Sequence, residues 1–262
     1  MGSLWLPPNQ KPALGQQVDY LEWCGEVPRL GYWLNECDGG IFNDLARGFT
    51  GTLSGTTAWG GGPRGAQLTF SGAGTGTLGA TPGLAKFTVY ARVMSTDTNQ
   101  NETYIVRRGH TDGFGFNIND YYGRFIWMVD AYGFGTPTAD GQVNIWRDLI
   151  GTYDGTNRTL WMDGVAYTGN IGSAQPATDA ILRIGNNAAA NKAWKGQMDR
   201  LLIWDSVLSE KQMDAVRLGP VPILTFPVRL FVGAAAPAAT GIPMDLFSQG
   251  FRTGQYGVSE VA

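Results

Sequence analysis

The strongest constraint on the fold of this chain is a pair of tight turns within residues 149–208. Asp154-Gly155 and Asp163-Gly164 each separate runs in which apolar residues recur. An Asp-Gly pair in this setting is a strong hairpin signal, because glycine adopts the positive φ of such turns without a steric penalty. The stretch therefore predicts an antiparallel meander. The serine and the helix-forming residues of 209–213 predict a short helix that closes it.

The composition favours a large β domain. The chain has 262 residues, of which 38 are glycines, and its aromatic fraction is 12%. This glycine content is about twice average usage and suits many short strands joined by tight turns. An apolar fraction of 43% excludes general disorder.

Strand-like runs recur at short intervals over most of the chain. Apolar and polar residues alternate within 114–118 and 201–204, which is typical of sheets with one dry face. We therefore predict an all-β fold, a two-sheet antiparallel β-sandwich. The strand-like runs are 30–34, 51–53, 59–60, 66–70, 87–94, 103–107, 114–118, 124–129, 143–153, 159–162, 181–184 and 197–204.

Proline and small residues divide the chain into three regions: an N-terminal arm of residues 1–28, the β domain of residues 29–220 and a C-terminal tail of residues 221–262. Prolines 7, 8 and 12 prevent a continuous helix or a central strand in the arm. Its tryptophans are poor residues to leave in water, so we expect the arm to pack on its own domain or on a neighbouring subunit. The tail is either a disordered end or a segment that orders on a neighbour.

Charge and hydropathy exclude several classes of protein. A formal net charge of −3 offers no basic surface for nucleic acid. No apolar run is long enough to cross a bilayer, so no membrane partner is expected. The first residues lack the basic and apolar regions of a signal peptide, and Leu6 stands where a myristoylation site needs Ser or Thr. The interpretation is a soluble chain without a visible export signal.

Several segments resemble laminin-G-like domains of the concanavalin A-like jelly-roll type. The similar segments are WLNECDGG at 33–40, NDLARGFTGTL at 43–53, AQLTFSG at 66–72, TYDGTNRTLWMDG at 152–164 and WKGQMDRLLIWDSVLS at 194–209. The resemblance implies a jelly roll over residues 29–220. It also implies binding or structural roles more often than catalysis.

The motifs for hydrolysis are absent. Related jelly-roll glucanases carry E-x-D-x-x-E on one strand, which puts an acid and a nucleophile on one face. The strand-associated carboxylates here are Asp130, Asp163, Asp199 and Asp205, and Asp199 stands alone at its position in the strand. A single histidine, His110 in a polar loop, and the lack of G-x-S-x-G argue against a Ser–His triad. We predict that the chain is not an enzyme.

The family resemblance implies a possible calcium site. Many relatives hold one Ca²⁺ with loop carboxylates and backbone carbonyls. Glu36, Asp38 and Asp44 lie in the first loop, where relatives carry their acidic pair. The alternative is that Asp44 caps or turns the backbone with its own side chain.

Aromatic residues in predicted loops are candidates for glycan binding, which the resemblance also implies. Two tyrosines occupy a turn that polar residues normally fill. Such aromatics serve equally well as anchors for a protein partner. The candidates are Trp59, Tyr121, Tyr122, Tyr132 and Phe134.

The only cysteines are Cys24 and Cys37. A disulfide between them is conceivable, but free thiols are favoured without a secretory route. Their spacing lacks the paired C-x-x-C units of zinc sites, so no metal is expected there.

The two ends resemble those of bacteriophage virion proteins that carry a laminin-G-like domain. The segments are LWLPP at 4–8, LSEKQMDAV at 208–216 and FPVRLFVGAAAP at 226–237. This resemblance implies a capsid decoration or head/tail surface protein, made in the host cytoplasm and displayed on the virion surface. The expected partners are other virion proteins, further copies of the chain as a homo-oligomer, and glycans. A stand-alone carbohydrate-binding module of a bacterial cell-surface system is the alternative.

Overall fold

The structure is a computed structural model that describes residues 3–7, 10–13, 16–34, 36, 38–81, 84–97, 103–109, 113–119, 124–129, 132–135, 143–170, 180–187 and 191–224. Most of the described chain is β-strand, and two short helices lie near its ends. The strands are β1 (Ser3–Leu6), β2 (Leu30–Tyr32), β3 (Ile41–Asn43), β4 (Thr50–Ser54), β5 (Thr57–Gly62), β6 (Gly65–Ser71), β7 (Thr75–Thr81), β8 (Phe87–Ser95), β9 (Thr103–Arg108), β10 (Phe114–Asn119), β11 (Arg124–Val129), β12 (Tyr132–Gly135), β13 (Trp146–Tyr153), β14 (Asn157–Met162), β15 (Val165–Asn170), β16 (Ala180–Ile184), β17 (Lys195–Trp204) and β18 (Val221–Leu224). The helices are α1 (Tyr20–Cys24) and α2 (Glu210–Leu218).

Two large sheets form a sandwich, and their strands pair antiparallel. Sheet I has the order β12-β11-β10-β9-β16-β7-β4-β3. Sheet II has the order β15-β14-β13-β8-β17-β6-β5, with β2 paired to the far end of β17. The predicted all-β fold, a concanavalin A-like jelly roll, is confirmed.

Aromatic side chains fill the space between the sheets. The ring centroids of Phe87 and Phe114 are 4.6 Å apart, and those of Phe116 and Trp127 are 4.7 Å apart. The Trp127 ring lies against Gly151 so closely that a Cβ there would overlap it. Trp127 Nε1 also donates to the carbonyl of Thr152 at 3.1 Å, which ties β11 to β13 across the core.

The hairpins predicted from the Asp-Gly turns are present. Asp154 Oδ1 accepts from the backbone N–H groups of Thr156 and Asn157 at 2.8 and 2.6 Å, which closes the turn between β13 and β14. These hydrogen bonds hold the pKa of Asp154 below its usual value. The predicted helix after Ser209 is also present, with a capping box between Ser209 and Gln212.

The N-terminal arm contains regular structure that the prolines concealed. α1 begins after Asp19, whose side chain accepts from Glu22 N at 3.1 Å, and ends at Gly25 with φ 77°. β1 pairs antiparallel with β18, the first four residues of the predicted tail. The arm therefore packs on its own domain, which was one of the two outcomes expected for it.

A second apolar cluster lies on the outer face of sheet II. We call α1, α2, β1 and β18 the cap, because their buried residues cover Tyr90, Ile150, Leu202 and Trp204 of that face. Polar links join its parts: Gln212 Nε2 in α2 donates to the Cys24 carbonyl in α1 at 2.8 Å. The alternation within residues 201–204 predicted that one side of this strand is buried and the other faces solvent. That prediction was wrong. All four are buried, since the core covers one side and the cap covers the other.

Neither helix in the described part of the chain is long and apolar enough to cross a membrane.

Candidate functional site

The described aromatic residues that were predicted to bind glycans lie at two separate places. Trp59 lies on β5, an edge of sheet II, and its Nε1 donates to the Gly39 carbonyl beside β3 at 2.8 Å. Tyr132 and Phe134 lie on β12, an edge of sheet I, whose neighbour β11 packs over β14. These are opposite edges of the sandwich. Tyr121 and Tyr122 fall outside the described residues.

The acidic residues predicted for calcium have other partners. Asp44 Oδ1 accepts from Gly31 N at 2.6 Å and Ala46 N at 2.8 Å, and its Oδ2 accepts from Arg47 N at 3.1 Å. Glu36 Oε1 accepts from Asn43 N at 2.5 Å, and Asp38 Oδ1 from Gly39 N at 2.7 Å. This is the backbone-capping role named as the alternative for Asp44.

Within the described ranges, no group of three or more His, Cys, Asp or Glu residues is placed to hold a metal. Calcium binding by Glu36, Asp38 and Asp44 stays an untested prediction.

Cys24 carries a free thiol, and burial raises its pKa to about 11. Its Sγ donates to the Glu26 carbonyl at 3.2 Å. Cys37 and His110 lie outside the part of the chain that the structure describes.

The outer face of sheet II has a second half that the cap leaves uncovered. Leu68, Val93, Leu149 and Met198 point into the core, so their neighbours in sequence point outward. Cross-strand pairing joins three of these neighbours, Met94, Gln197 and Thr69, to Trp146 on β13 and Ala58 on β5 in one row across five strands. In strand order the row is Trp146, Met94, Gln197, Thr69 and Ala58, and each of these side chains is at least partly accessible.

The adjacent row carries charge. Asp148, Arg92 and Arg200 lie directly opposite one another on β13, β8 and β17. Two facing arginines would repel each other, so neighbouring carboxylates are needed. Asp148 Oδ2 accepts from Arg92 Nη1 at 2.8 Å. A β-bulge in β17 between Met198 and Arg200 brings Asp199 beside both arginines, with Oδ2 at 3.4 Å from Arg200 Nε and 3.8 Å from Arg92 Nε.

The N-terminal arm completes this charged row. Lys11 Nζ lies 2.7 Å from Asp199 Oδ1 and donates to the carbonyls of Leu34, at 3.2 Å, and Ala66. Tyr90, under the edge of the cap, donates its hydroxyl to Asp148 Oδ1 at 2.7 Å. Asp199, which seemed isolated in the sequence, is therefore the centre of an ion network.

Burial governs the electrostatics of the row. Burial lowers the pKa of Lys11 to about 8, against the attraction of Asp199. Burial alone would raise the pKa of Asp199, but Arg200, Lys11 and Arg92 outweigh it and hold that pKa below its usual value. The turn between β5 and β6 adds Arg64, whose pKa is lowered by burial and then by repulsion from Arg200 and Arg92.

Four polar atoms on this face are buried without a hydrogen-bond partner among the described residues: Arg64 Nη1, Gln67 Oε1, Arg92 Nε and Arg200 Nη2. Arg64 lies in the turn before β6, Gln67 lies on β6, and Arg200 lies on the neighbouring strand β17, two residues beyond the last pair of these strands, Met198 and Leu68. The face thus carries three donors and one acceptor that the described residues leave without a hydrogen bond. Chemically, it is suited to binding a polar or anionic group.

Sequence reasoning missed this face. Its residues recur at every second position, as in Trp146 and Asp148 on one strand and Arg92 and Met94 on another. That period was available in the sequence. The sequence did not reveal the pairing register that joins the strands, the bulge at Asp199 or the contact of Lys11 with Asp199.

The comparisons with known proteins agree with the fold. A family model, Laminin_G_3, described as the concanavalin A-like lectin/glucanases superfamily, matches residues 68–213. No curated protein matches the chain.

Several solved structures resemble this chain at low sequence identity. At such identity the resemblance supports the fold alone. A Trypanosoma rangeli sialidase in complex with sialic acid has TM-score 0.56 and 13% identity, over 72% of this chain and 32% of that one. Domain 4 of AbnA, a GH43 extracellular arabinanase from Geobacillus stearothermophilus, in complex with arabinotriose, has TM-score 0.57 and 18% identity, over 72% and 98%. The binding domain of Paraclostridial Mosquitocidal Protein 1 has TM-score 0.58 and 14% identity, over 73% and 52%.

This chain spans about one third of the sialidase, so the likeness concerns one part of that enzyme. The family match covers more than half of the present chain. By its jelly-roll topology and by this match, the chain belongs to the concanavalin A-like lectin/glucanases superfamily.

Proposed function

We propose that this chain is a non-enzymatic, glycan-binding jelly roll. The observation that carries the proposal is the uncovered half of the outer face of sheet II. There the partly accessible Trp146 ring lies in one row with the polar side chains of Gln197 and Thr69. An aromatic surface beside a few fixed polar groups is the arrangement that holds a sugar ring and orients its hydroxyls.

The carboxylates on this face support a non-catalytic role. Glycoside hydrolysis needs one carboxylic acid with a raised pKa beside a second carboxylate. Asp148 is bound to Arg92 and Tyr90, while Asp199 is bound to Lys11 and has a lowered pKa. Both carboxylates serve as counter-ions and neither suits a general acid.

The likeness to Domain 4 of AbnA also supports glycan binding. That domain was solved in complex with arabinotriose, and the alignment covers 98% of it. It offers a precedent for a sugar ligand on a fold of this size. It equally favours the second candidate, a stand-alone carbohydrate-binding module.

We place the binding domain on a bacteriophage-type virion. The resemblance of the two ends to virion proteins supports this, and so does their position. β1 and β18 pair in the cap, so the arm and the start of the tail lie together on one face. Leu4 and Trp5 in β1 are exposed there, at 55% and 44%. We propose other virion proteins and further copies of this chain as partners of that face.

Binding by the full chain to a glycan array, followed by titration of the best ligand, tests the glycan proposal. We expect Trp146→Ala to weaken binding about tenfold or more, because a central aromatic contact contributes about 2 kcal/mol or more. Trp5→Ala, at an exposed tryptophan of the cap, is the matched control and should leave affinity unchanged. Loss of affinity in Tyr132→Ala instead would move the site to β12, and no binding to any glycan would contradict the proposal.

Mass spectrometry of purified particles from the native source tests the virion proposal. We expect the chain at a fixed stoichiometry, and a truncation of residues 225–262, which keeps β18 intact, to reduce its incorporation. Absence from particles, with the chain recovered as a soluble monomer, would leave the stand-alone binding module as the better account.

A further inference from the structure

The unpartnered polar atoms of the described chain include a cluster on the outer face of sheet II. Arg200 is 1% exposed and Gln67 is 4% exposed, yet Arg200 Nη2 and Gln67 Oε1 have no partner among the described residues. Arg64 Nη1, from the turn beside them, is buried in the same way. Leaving such atoms unpaired costs about 1–3 kcal/mol each. A ligand that pairs with them would recover that free energy.

The charges on this face are unbalanced. Asp148 and Asp199 are the counter-ions of Arg92, Arg200 and Lys11. Arg64 forms no ion pair with a carboxylate in the described part of the chain, and the repulsion it feels from Arg200 and Arg92 exceeds its attraction to Asp148. Burial and this repulsion both lower the pKa of Arg64. An anion beside Arg64 would relieve the repulsion.

The neighbouring side chains hold these groups in place. The Arg200 guanidinium stacks on the buried Trp33 ring, 4.6 Å from its centroid, which fixes the plane of its free N–H group. Gln67 Oε1 lies over Gly62, where a Cβ would overlap it, so the glycine leaves room for that orientation. On the other side, Arg92 lies 5.6 Å from the Trp146 ring centroid and links the charged row to the aromatic surface.

We infer that Arg64, Arg200 and Gln67 form a subsite for the carboxylate of an acidic sugar, a hexuronate or a sialate, whose ring lies toward Trp146. Arg64 and Arg200 each donate an N–H group to the carboxylate in a charge-assisted hydrogen bond. The Gln67 carbonyl oxygen accepts from a sugar hydroxyl. This inference rests on the proposed glycan binding and specifies the ligand class of the same face.

Titration calorimetry on the full chain, with paired probes, tests the subsite. Trigalacturonate and sialyllactose are compared with their methyl esters, which keep the shape of each sugar and remove its charge. We expect at least one acid to bind about tenfold or more tightly than its ester, with an advantage that shrinks as salt is added. Charge-dependent binding of trigalacturonate would identify a hexuronate as the ligand, and charge-dependent binding of sialyllactose would identify a sialate.

Arg64→Met keeps much of the side-chain stem and removes the charge, and it should lower the affinity for the acid to that of the ester. Arg64→Lys should recover part of the difference. Arg47→Met, an exposed arginine in the turn before β4, is the matched control and should bind like the unaltered protein. Thermal melts of all three variants check that each one folds.

Two other outcomes would overturn the inference, and they differ. Neutral glycans bound as tightly as acids, with no effect of Arg64→Met, would refute the acidic subsite and leave the glycan-binding proposal standing. No binding to any acidic or neutral glycan on the array would refute both.

Discussion

Lys11 Nζ in the N-terminal arm lies 2.7 Å from Asp199 Oδ1 in β17, and the two side chains are only 3% and 5% exposed. The same ammonium group donates to the carbonyls of Leu34 and Ala66, so its three N–H groups have partners. A buried charge is tolerated only when it is paired and hydrogen-bonded in this way. The contact makes the arm an integral part of the sandwich.

We expect Lys11→Met to destabilise the protein by about 3 kcal/mol, because breaking a buried ion pair leaves an uncompensated charge. Arg92 and Arg200 remain near Asp199 and keep the loss at the low end of the range for such pairs. Urea unfolding gives the free energy of unfolding. Lys86→Met, at an exposed lysine, is the control and should change it by less than about 0.5 kcal/mol. Equal effects of the two substitutions would contradict the role of Lys11.

The stability of the unaltered protein relative to Lys11→Met should rise with pH above about 8. Burial lowers the pKa of Lys11 from 10.5 to about 8, against the attraction of Asp199. Between these values the unfolded chain holds a proton that the folded protein has released, so the free energy of unfolding increases with pH. Urea unfolding of both proteins across this window measures the difference. If the difference in free energy of unfolding between the two proteins falls with pH, the attraction of Asp199 outweighs burial and raises the pKa of Lys11.

Gly151→Ala should cost about 1–3 kcal/mol, because its Cβ would overlap the Trp127 ring in the packed core. Gly61→Ala on the edge strand β5 is the matched control, since a Cβ there meets nothing within 4 Å. Thermal unfolding of the two variants compares them. If the two variants are equally stable, the sheets move apart freely where Gly151 contacts Trp127.

Asp44→Ala should destabilise the protein by about 1–3 kcal/mol, because three backbone N–H groups lose their acceptor. We expect the same loss in calcium and in EDTA, with the melting temperature as the measurement. Asp38→Asn, at an exposed residue bonded only within its own turn, is the control. A melting temperature that calcium raises in the unaltered protein, but not in Asp44→Ala, would support the calcium site instead.

Local signals were enough for much of the fold. The Asp-Gly turns predicted the hairpins around β14, and the capping residues at Ser209 and Gln212 predicted α2. Short elements were missed: α1 spans only five residues among prolines, and β3 only three. Elements of this length are stabilised by what packs on them, so their local pattern is weak.

The candidate site was harder to predict for a different reason. Trp59 and Tyr132 were both candidates for an aromatic glycan-binding surface, and nothing in the sequence separated them. The strand order places them at opposite edges of the sandwich. Arg64, Gln67 and Arg200 carry no local motif, and they meet only because β5, β6 and β17 are neighbours in sheet II.

The sequence by itself determined the all-β sandwich and its hairpins, because turn geometry and alternating burial depend on residues close together in the chain. Only the tertiary structure decided that Lys11 reaches Asp199, that the cap covers half of one outer face, and that the other half keeps unpaired polar atoms. Those contacts join residues far apart in the chain, and their existence depends on strand order, on register and on one β-bulge in β17.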